Sequence, residues 1–187
     1  RDFPDVFDPE YERNAQAWAA QLEPFRDDPL LIGYFLDNEP QWAFSRQLPA
    51  VAMLETGMPS ATRTALTLWL KERYKGDIGA LNTAWGQSFS SFEALGQGSL
   101  RRPEEFSAQS RDDLTAFSEL MVQRCLEPPY REARRADPNH LNLGIRWAGL
   151  GSGFLALAGQ YCDVFTVNMY SMLPDTAALR GIAEQSG

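Results

Sequence analysis

The sequence is poor in cysteine and histidine, and it has no long hydrophobic run. Its 187 residues include two cysteines and one histidine. Cys125 and Cys162 lack the CxxC spacing of a structural zinc site, so we expect two ordinary buried thiols and neither a metal nor a cofactor. No apolar stretch approaches the roughly 18 residues that a membrane-spanning helix requires. The opening Arg1-Asp2-Phe3-Pro4 carries no signal-peptide pattern, and the cellular compartment stays open.

Positive charge is also scarce. Lysine and arginine total 17 against 25 aspartates and glutamates, which gives a net charge of -8. Because an acidic surface repels polyanions, the composition predicts no nucleic-acid partner and no binding to an anionic membrane. The glycine-rich run at 149–153 lacks the GxGxxG spacing and no lysine follows it, so we do not expect a phosphate-binding loop. Neutral ligands such as sugars remain compatible with this charge.

The most informative stretch is the apolar run at residues 30–36, which ends abruptly in the polar residues 37–39. A proline stands on each side of it, at positions 29 and 40, and prolines cannot donate to the ladder of a central strand. An apolar run without alternation is typical of a strand covered on both faces, as in a parallel sheet flanked by helices. The pattern therefore predicts a buried strand with polar groups at its carboxyl end.

Two more predicted strands, at 141–147 and 163–170, also end in polar or aromatic residues. The carboxyl ends of parallel strands lie on one side of the sheet, so these residues are expected to converge although they are distant in sequence. Asp163 begins its strand and is expected on the opposite side. The candidate site residues are Asn38, Glu39, Trp42, Arg146, Trp147, Asn168 and Tyr170.

The segment between the first two predicted strands has helical rather than strand patterns. Ser60 is expected to cap one helix and Gly86 to end another. Because proline removes a backbone donor and clashes with the preceding turn, Pro128 and Pro129 predict a break near Glu127. The predicted helices cover residues 9–23, 48–54, 61–74, 77–85, 107–127, 130–136, 154–160 and 175–184.

Three motifs resemble those of retaining glycoside hydrolases built on TIM barrels. Asn38-Glu39-Pro40 at the end of an apolar strand resembles the end of the fourth barrel strand in that clan. Residues 75–93 resemble the insertion after strand four in β-galactosidase-like and β-agarase-like enzymes. The residues Asp-Pro-Asn-His-Leu at 137–141, followed by Leu-Gly-Ile-Arg at 143–146, resemble strand five of the agarase-like enzymes.

The resemblance implies an α/β fold that forms part of a (β/α)8 barrel. It covers about strands four to six, since a complete barrel typically needs about 250 residues. Residues 1–187 would form a single partial catalytic-barrel domain with a helical insertion and crossover at 45–140, and the parent chain would supply the rest of the barrel. A free-standing three-layer α/β domain is the alternative.

The resemblance also implies the chemistry. Glu39 would be the general acid/base, suited to that role if its surroundings raise its pKa, and Asn38 would bind the sugar hydroxyl next to the reacting carbon. Tyr170 matches a strand-six residue that contacts the nucleophile in many members, or else it is a rim aromatic. The nucleophile itself, a glutamate ending strand seven, has no counterpart in this sequence.

The remaining candidates concern the substrate, which would be a galactose-containing oligo- or polysaccharide. Trp42 and Trp147 offer flat faces to a sugar ring, although tryptophan more often serves in packing. Arg146 either holds a substrate hydroxyl or pairs with Asp37. The alternative function is a non-catalytic carbohydrate-binding or scaffold fragment of a barrel that lacks the nucleophile.

Overall fold

The chain forms two compact units in the computed structural model, which describes residues 3–149 and 151–187. The first unit combines Phe3–Asp8 with Gln47–Met121, and the second combines Pro9–Arg46 with Val122–Gly187. The single domain expected for residues 1–187 therefore stays a prediction. Arg1, Asp2 and Leu150, which entered the sequence predictions, lie outside the described residues.

Helices dominate the described residues, and no helix among them is both long and apolar enough to cross a membrane. Four short 3-10 turns, at Ala20–Phe25, Gln41–Phe44, Pro103–Glu105 and Ser152–Phe154, add to them. The strands are β1 Gly33–Tyr34, β2 Asp37–Asn38, β3 Leu141–Asn142, β4 Ile145–Trp147 and β5 Thr166–Val167. The α-helices are α1 Pro9–Ala19, α2 Pro49–Thr56, α3 Ala61–Arg73, α4 Ile78–Trp85, α5 Phe92–Gln97, α6 Ala108–Ala136, α7 Leu155–Gly159 and α8 Thr176–Ser186.

All strand pairs in the second unit are parallel, as the sequence predicted. One sheet pairs β1 with β3, and the other has the order β2-β4-β5. The strands are shorter than predicted, because the run at 30–37 divides into β1 and β2 and the run at 141–147 divides into β3 and β4. Gly144, whose φ of 62° is left-handed, interrupts the second run, and its carbonyl accepts from the amide of Leu36 at 2.8 Å.

The prediction that residues 30–36 are buried on both faces was wrong for most of them, because Leu30, Ile32 and Phe35 are exposed and only Tyr34 is buried. Leu30 is 89% exposed and Ile32 is 77% exposed. Within the described residues β1 pairs with one strand only, β3, so this sheet is smaller than the apolar run suggested. Tyr34 of β1 is buried, and its hydroxyl donates to the Asp137 carbonyl at 3.4 Å.

Helix caps in the first unit lie where the sequence placed them. The Ser60 hydroxyl accepts from the Arg63 amide at 3.0 Å at the start of α3. Gly86 ends α4 with a left-handed φ of 67°, a conformation that glycine adopts without strain. The fully buried residues of this unit include Leu54, Leu66, Leu70, Leu81, Trp85, Leu114 and Phe117.

A carboxylate lies inside this apolar core. Asp113 of α6 is completely buried, and it accepts four hydrogen bonds. Its Oδ1 atom accepts from Arg73 Nε at 2.7 Å and Gln109 Nε2 at 2.9 Å, and its Oδ2 atom accepts from the Tyr74 hydroxyl at 2.6 Å and Trp85 Nε1 at 2.8 Å. Two donors bind each carboxylate oxygen, so hydrogen bonds compensate the buried charge.

The predicted helix break near Glu127 was wrong, since α6 runs without interruption through Pro128 and Pro129. Pro129 has no amide hydrogen for the Cys125 carbonyl four residues earlier. That carbonyl instead accepts from the Tyr11 hydroxyl of α1 at 2.6 Å. A side chain thus replaces the missing backbone donor, which is one way a helix tolerates proline.

Both cysteine thiols are free. Cys125 is buried as expected, whereas Cys162 is only half-buried.

Hydrogen bonds and ion pairs also stabilise the residues at the amino-terminal ends of the strands. The Asp163 carboxylate accepts from the Asn142 amide at 2.8 Å and from Arg134 Nη1 at 3.1 Å. His140 Nδ1 lies 2.7 Å from the Asp137 carboxylate, and His140 Nε2 lies 2.9 Å from the Asp28 carbonyl. Asp163 is therefore tied to the residues that begin the strands, consistent with the structural place expected for it.

Candidate active site

Glu39 follows directly on β2 and has an unusual backbone. Its φ of 48° is left-handed, which costs a non-glycine residue on the order of 1 kcal/mol and persists only where the surroundings impose it. Its amide donates to the Arg146 carbonyl at 2.9 Å, one step beyond the pairing of Asn38 with Arg146. The sheet therefore fixes the point at which the Glu39 side chain leaves the backbone.

Two residues from the β5 side hold the Glu39 carboxylate. Asn168 Nδ2 donates to its Oε1 atom at 2.5 Å, and the Tyr170 hydroxyl donates to the same atom at 2.8 Å. The Asn168 amide donates to the Trp147 carbonyl at 2.6 Å, which continues the pairing of β4 with β5. The predicted convergence of the three strand ends is thus present in this unit.

The donors around Glu39 favour its charged form. The hydrogen bonds from Asn168 and then Tyr170 lower the pKa of Glu39, and the nearby charge of Arg146 lowers it further. The acid/base role was expected to suit Glu39 if its surroundings raise this pKa, and the described residues lower it instead. The reason is that the carboxylate is only half-buried and faces donors, and no second carboxylate among the described residues shares its partners.

Arg146 is exposed and lies over an aromatic ring. Its guanidinium carbon is 5.4 Å from the centre of the Phe35 ring, a cation–π contact that the sequence analysis missed. No ion pair between Arg146 and Asp37 occurs in the part of the chain that is described. The register explains this, because Asp37 pairs with Ile145 whereas Arg146 pairs with Asn38. Asn38 is exposed at the end of β2.

Trp42 and Trp147 pack instead of presenting their ring faces. Their ring centres are 5.9 Å apart with the planes at 80°, and Trp147 also stacks on Phe165 at 6.5 Å. Trp42 is 8% exposed and Trp147 is 3% exposed. Because such burial leaves little ring surface for a sugar, we assign both residues to the support of the site.

No group of three or more histidine, cysteine, aspartate or glutamate side chains that could hold a metal occurs within residues 3–149 and 151–187. The site consists of a carboxylate at the end of one parallel strand, and it accepts hydrogen bonds from residues that follow a second parallel strand. Such an arrangement is consistent with part of a TIM-barrel-like domain of the glycosidase type.

Comparison with known proteins identifies the family. The glycoside hydrolase 42 family, described as beta-galactosidase, matches residues 5–175, and the chain therefore belongs to it. Beta-agarase B from Vibrio sp. (strain JT0107) is 29% identical over 177 residues, which are 89% of this chain and 18% of that protein. The chain thus spans less than a fifth of the length of this curated relative.

Solved structures agree with this assignment. The agarase AgWH50C superimposes with a TM-score of 0.82 at 25% identity, over 97% of this chain and 27% of the solved chain. An exo-beta-agarase superimposes with a TM-score of 0.80 at 26% identity, over 97% of this chain and 26% of the other. The described residues therefore share the fold of about a quarter of each of these two solved chains.

Proposed function

We propose that the full-length protein containing this chain is a retaining glycoside hydrolase with Glu39 as its general acid/base. The observation that carries the proposal is the Glu39 carboxylate, held at the carboxyl end of a parallel sheet by Asn168 and Tyr170 in a chain of the glycoside hydrolase 42 family. Residues 45–140 would be the helical insertion that follows strand four of the barrel. The remaining strands would come from the rest of the protein.

A retaining mechanism needs a second carboxylate about 5 Å from the first. In the proposed enzyme the rest of the barrel supplies it as the nucleophile. A negative charge at that distance opposes the ionisation of Glu39, which offsets the effect of its two donors and lets it hold a proton at working pH. Arg146 and Asn38, both exposed at the same edge, would contact substrate hydroxyls.

We propose a galactose-containing polysaccharide or oligosaccharide as the substrate. Support comes from the relatives, which are named beta-agarases, and from the family description as beta-galactosidase. The test compares hydrolysis of agarose oligosaccharides and an aryl β-galactoside with that of an aryl β-glucoside by the full-length protein. Preference for the glucoside would contradict the galactose assignment.

The acid/base role is tested by Glu39→Gln in the full-length protein. The amide keeps the shape and can still accept from Asn168 and Tyr170, but it has no proton to transfer. General acid–base catalysis commonly contributes about 10²- to 10⁴-fold, so we expect a loss of that size on the natural substrate. An activated aryl glycoside needs little protonation, so its first step survives, a glycosyl-enzyme accumulates, and added azide restores turnover.

Glu184→Gln is the matched control, because Glu184 is an exposed glutamate on α8 of the same unit. This variant should keep full activity. Equal rates of Glu39→Gln and wild type on the natural substrate would remove Glu39 from the chemistry.

A non-catalytic carbohydrate-binding role is the second candidate. It is favoured by one observation, that no second carboxylate among the described residues accompanies Glu39. Full-length protein that binds agarose oligosaccharides but hydrolyses neither them nor aryl glycosides would support this role against the enzymatic one.

A further inference from the structure

Both donors of the Glu39 carboxylate bind one of its two oxygens. Asn168 Nδ2 and the Tyr170 hydroxyl both point at Oε1, at 2.5 Å and 2.8 Å. A carboxylate oxygen has about two lone-pair positions for hydrogen bonds, so these two donors occupy Oε1. The two oxygens of the carboxylate are therefore chemically unequal.

A proton on Oε1 would displace at least one of these donors. The Asn168 amide nitrogen can only donate, so it has no way to adapt to an O–H group on the oxygen that it binds. A proton on Oε2 leaves both hydrogen bonds intact. The protonated form of Glu39 is consequently the one with Oε2–H.

We infer that Asn168 and Tyr170 are positioning residues that hold Glu39 by Oε1 and leave Oε2 as the oxygen that donates and receives the transferable proton. Both are candidate site residues in the sequence, where the resemblance implied that Tyr170 contacts the nucleophile or else is a rim aromatic. In the structure the side chains of Asn168 and Tyr170 donate to the Glu39 carboxylate. The inference rests on the proposed acid/base function of Glu39.

The backbone supports this role independently of the carboxylate. Asn168 continues the β4–β5 ladder through its amide, so its position follows from the sheet. Tyr170 lies two residues further on, and residues two apart in an extended chain point to the same side. Glu39 follows β2, the other strand that pairs with β4, and its left-handed backbone sets the direction of its side chain. The sheet thus fixes the positions of both the carboxylate and its two donors.

Oε2 transfers the proton in both steps of the proposed reaction. In the first step the Oε2 proton moves to the glycosidic oxygen, which keeps the electrons of its broken bond to the sugar carbon, while the nucleophilic carboxylate bonds to that carbon. In the second step water forms the new bond to the carbon and returns a proton to Oε2, and the nucleophilic carboxylate leaves. Oε1 keeps its two donors throughout.

The test uses Tyr170→Phe and Asn168→Ala in the full-length protein, with the pH dependence of kcat/KM as the main measurement. Each change removes a donor from the ionised carboxylate, so the pKa of Glu39 rises and the alkaline limb of the profile moves to higher pH. A misplaced acid can lose up to about 10²-fold in rate, so kcat should fall while KM changes little. Residues that bind substrate would instead raise KM and leave the pH profile in place.

Tyr161→Phe is the matched control, because the Tyr161 ring packs edge-on against Tyr130 in the same unit and its hydroxyl has no place in the site. Its profile should match wild type. If Glu39→Gln is inactive on the natural substrate but both donor variants keep the wild-type profile, the positioning role is overturned and the acid/base role stands. If Glu39→Gln is fully active, the proposed function fails, and the positioning role with it.

Discussion

Asp113 in the first unit and Glu39 in the second are both carboxylates held by side-chain donors, but they differ in how completely. Asp113 is fully buried, and two donors bind each of its oxygens. Glu39 is half-buried, and both its donors bind the same oxygen. One carboxylate has no capacity left for another partner, whereas the other keeps an oxygen for a proton or a ligand.

If Glu39 is the acid/base, as we propose, the difference separates a structural acid from a reactive one. A buried charge without full compensation destabilises the fold, so Asp113 needs all its donors and can exchange none. A reactive acid has to gain and lose a proton in every cycle, so complete pairing would prevent its work. Saturation of the hydrogen bonds therefore distinguishes these two carboxylates more clearly than residue type does.

The largest stability effect is expected from Asp113→Asn. In this variant an NH2 group replaces one carboxylate oxygen, so the two donors that bound that oxygen lose their acceptor. The Arg73 guanidinium also loses its partner charge. Donors left without an acceptor cost about 1–3 kcal/mol each when buried, and the midpoint of urea unfolding would report that loss. Asp112→Asn, at the exposed neighbouring position, is the control and should change little. Equal midpoints for the two variants would contradict the structural role of Asp113.

A smaller loss is expected from Tyr74→Phe, which removes one of the four donors. Burial, and then the hydrogen bond to Asp113, raise the pKa of Tyr74 to about 12, so the phenol stays a donor at working pH. A hydrogen bond to a charged group is worth about 1.5–3 kcal/mol, and urea unfolding should show a loss in that range. Tyr130→Phe is the control, since the Tyr130 ring packs edge-on against Tyr161 and Tyr130 is not one of the four donors of Asp113.

Asp137 sharpens the comparison, because its side-chain partner can itself titrate. The hydrogen bond that the His140 ring donates to the Asp137 carboxylate raises the pKa of His140 above its ordinary 6.5. Burial raises the pKa of Asp137, but hydrogen bonds from His140 and the backbone outweigh it and leave the value below 3.8. The pair is therefore expected to stabilise the fold fully between pH 3.8 and 6.5.

Above that window the stabilisation should decline. A group whose folded-state pKa is raised loses its contribution as the pH rises through that value, because both states then lose the proton. Urea unfolding of wild type and His140→Gln at a series of pH values measures this, with the difference between them shrinking as His140 deprotonates. A difference that is constant from pH 5 to pH 9 would show that the pair has no titrating contribution.

The smallest effect is expected on the stability of the Glu39 variants. Glu39→Gln and Tyr170→Phe alter a partly exposed cluster, and surface substitutions are usually within about 0.5 kcal/mol. Their unfolding midpoints should match wild type even though their activities differ. A large loss of stability in Glu39→Gln would show that Glu39 stabilises the fold as Asp113 does, and the contrast between the two carboxylates would not hold.

Local signals explain what could be predicted from the sequence. Caps at Ser60 and Gly86 act within a few residues, so the boundaries of α3 and α4 followed from the sequence. The convergence of Glu39, Asn168 and Tyr170 followed from a general rule about parallel strands. The strand lengths did not, because a left-handed residue such as Gly144 interrupts pairing without changing the apolar pattern.

The remaining differences come from partners that are distant in sequence. Gln109 donates to Asp113 from four residues earlier on α6, a spacing that the sequence shows, but Arg73, Tyr74 and Trp85 lie 28 to 40 positions away and no spacing rule connects them. The Asp137 and His140 pair could have been found, since a three-residue separation in a turn brings the two side chains together. The pairing of Tyr11 with the Cys125 carbonyl spans 114 positions, so the proline rule alone predicted a break that does not occur.

That last contact also bears on the order in which the chain folds. Synthesis proceeds from the amino terminus, so Tyr11 is already made when the residues around Pro128 and Pro129 emerge. The Tyr11 hydroxyl bonds the Cys125 carbonyl, to which Pro129 has no amide hydrogen to donate. A fragment that starts after Tyr11 would contain every residue of α6 and still lack the hydroxyl that bonds its Cys125 carbonyl.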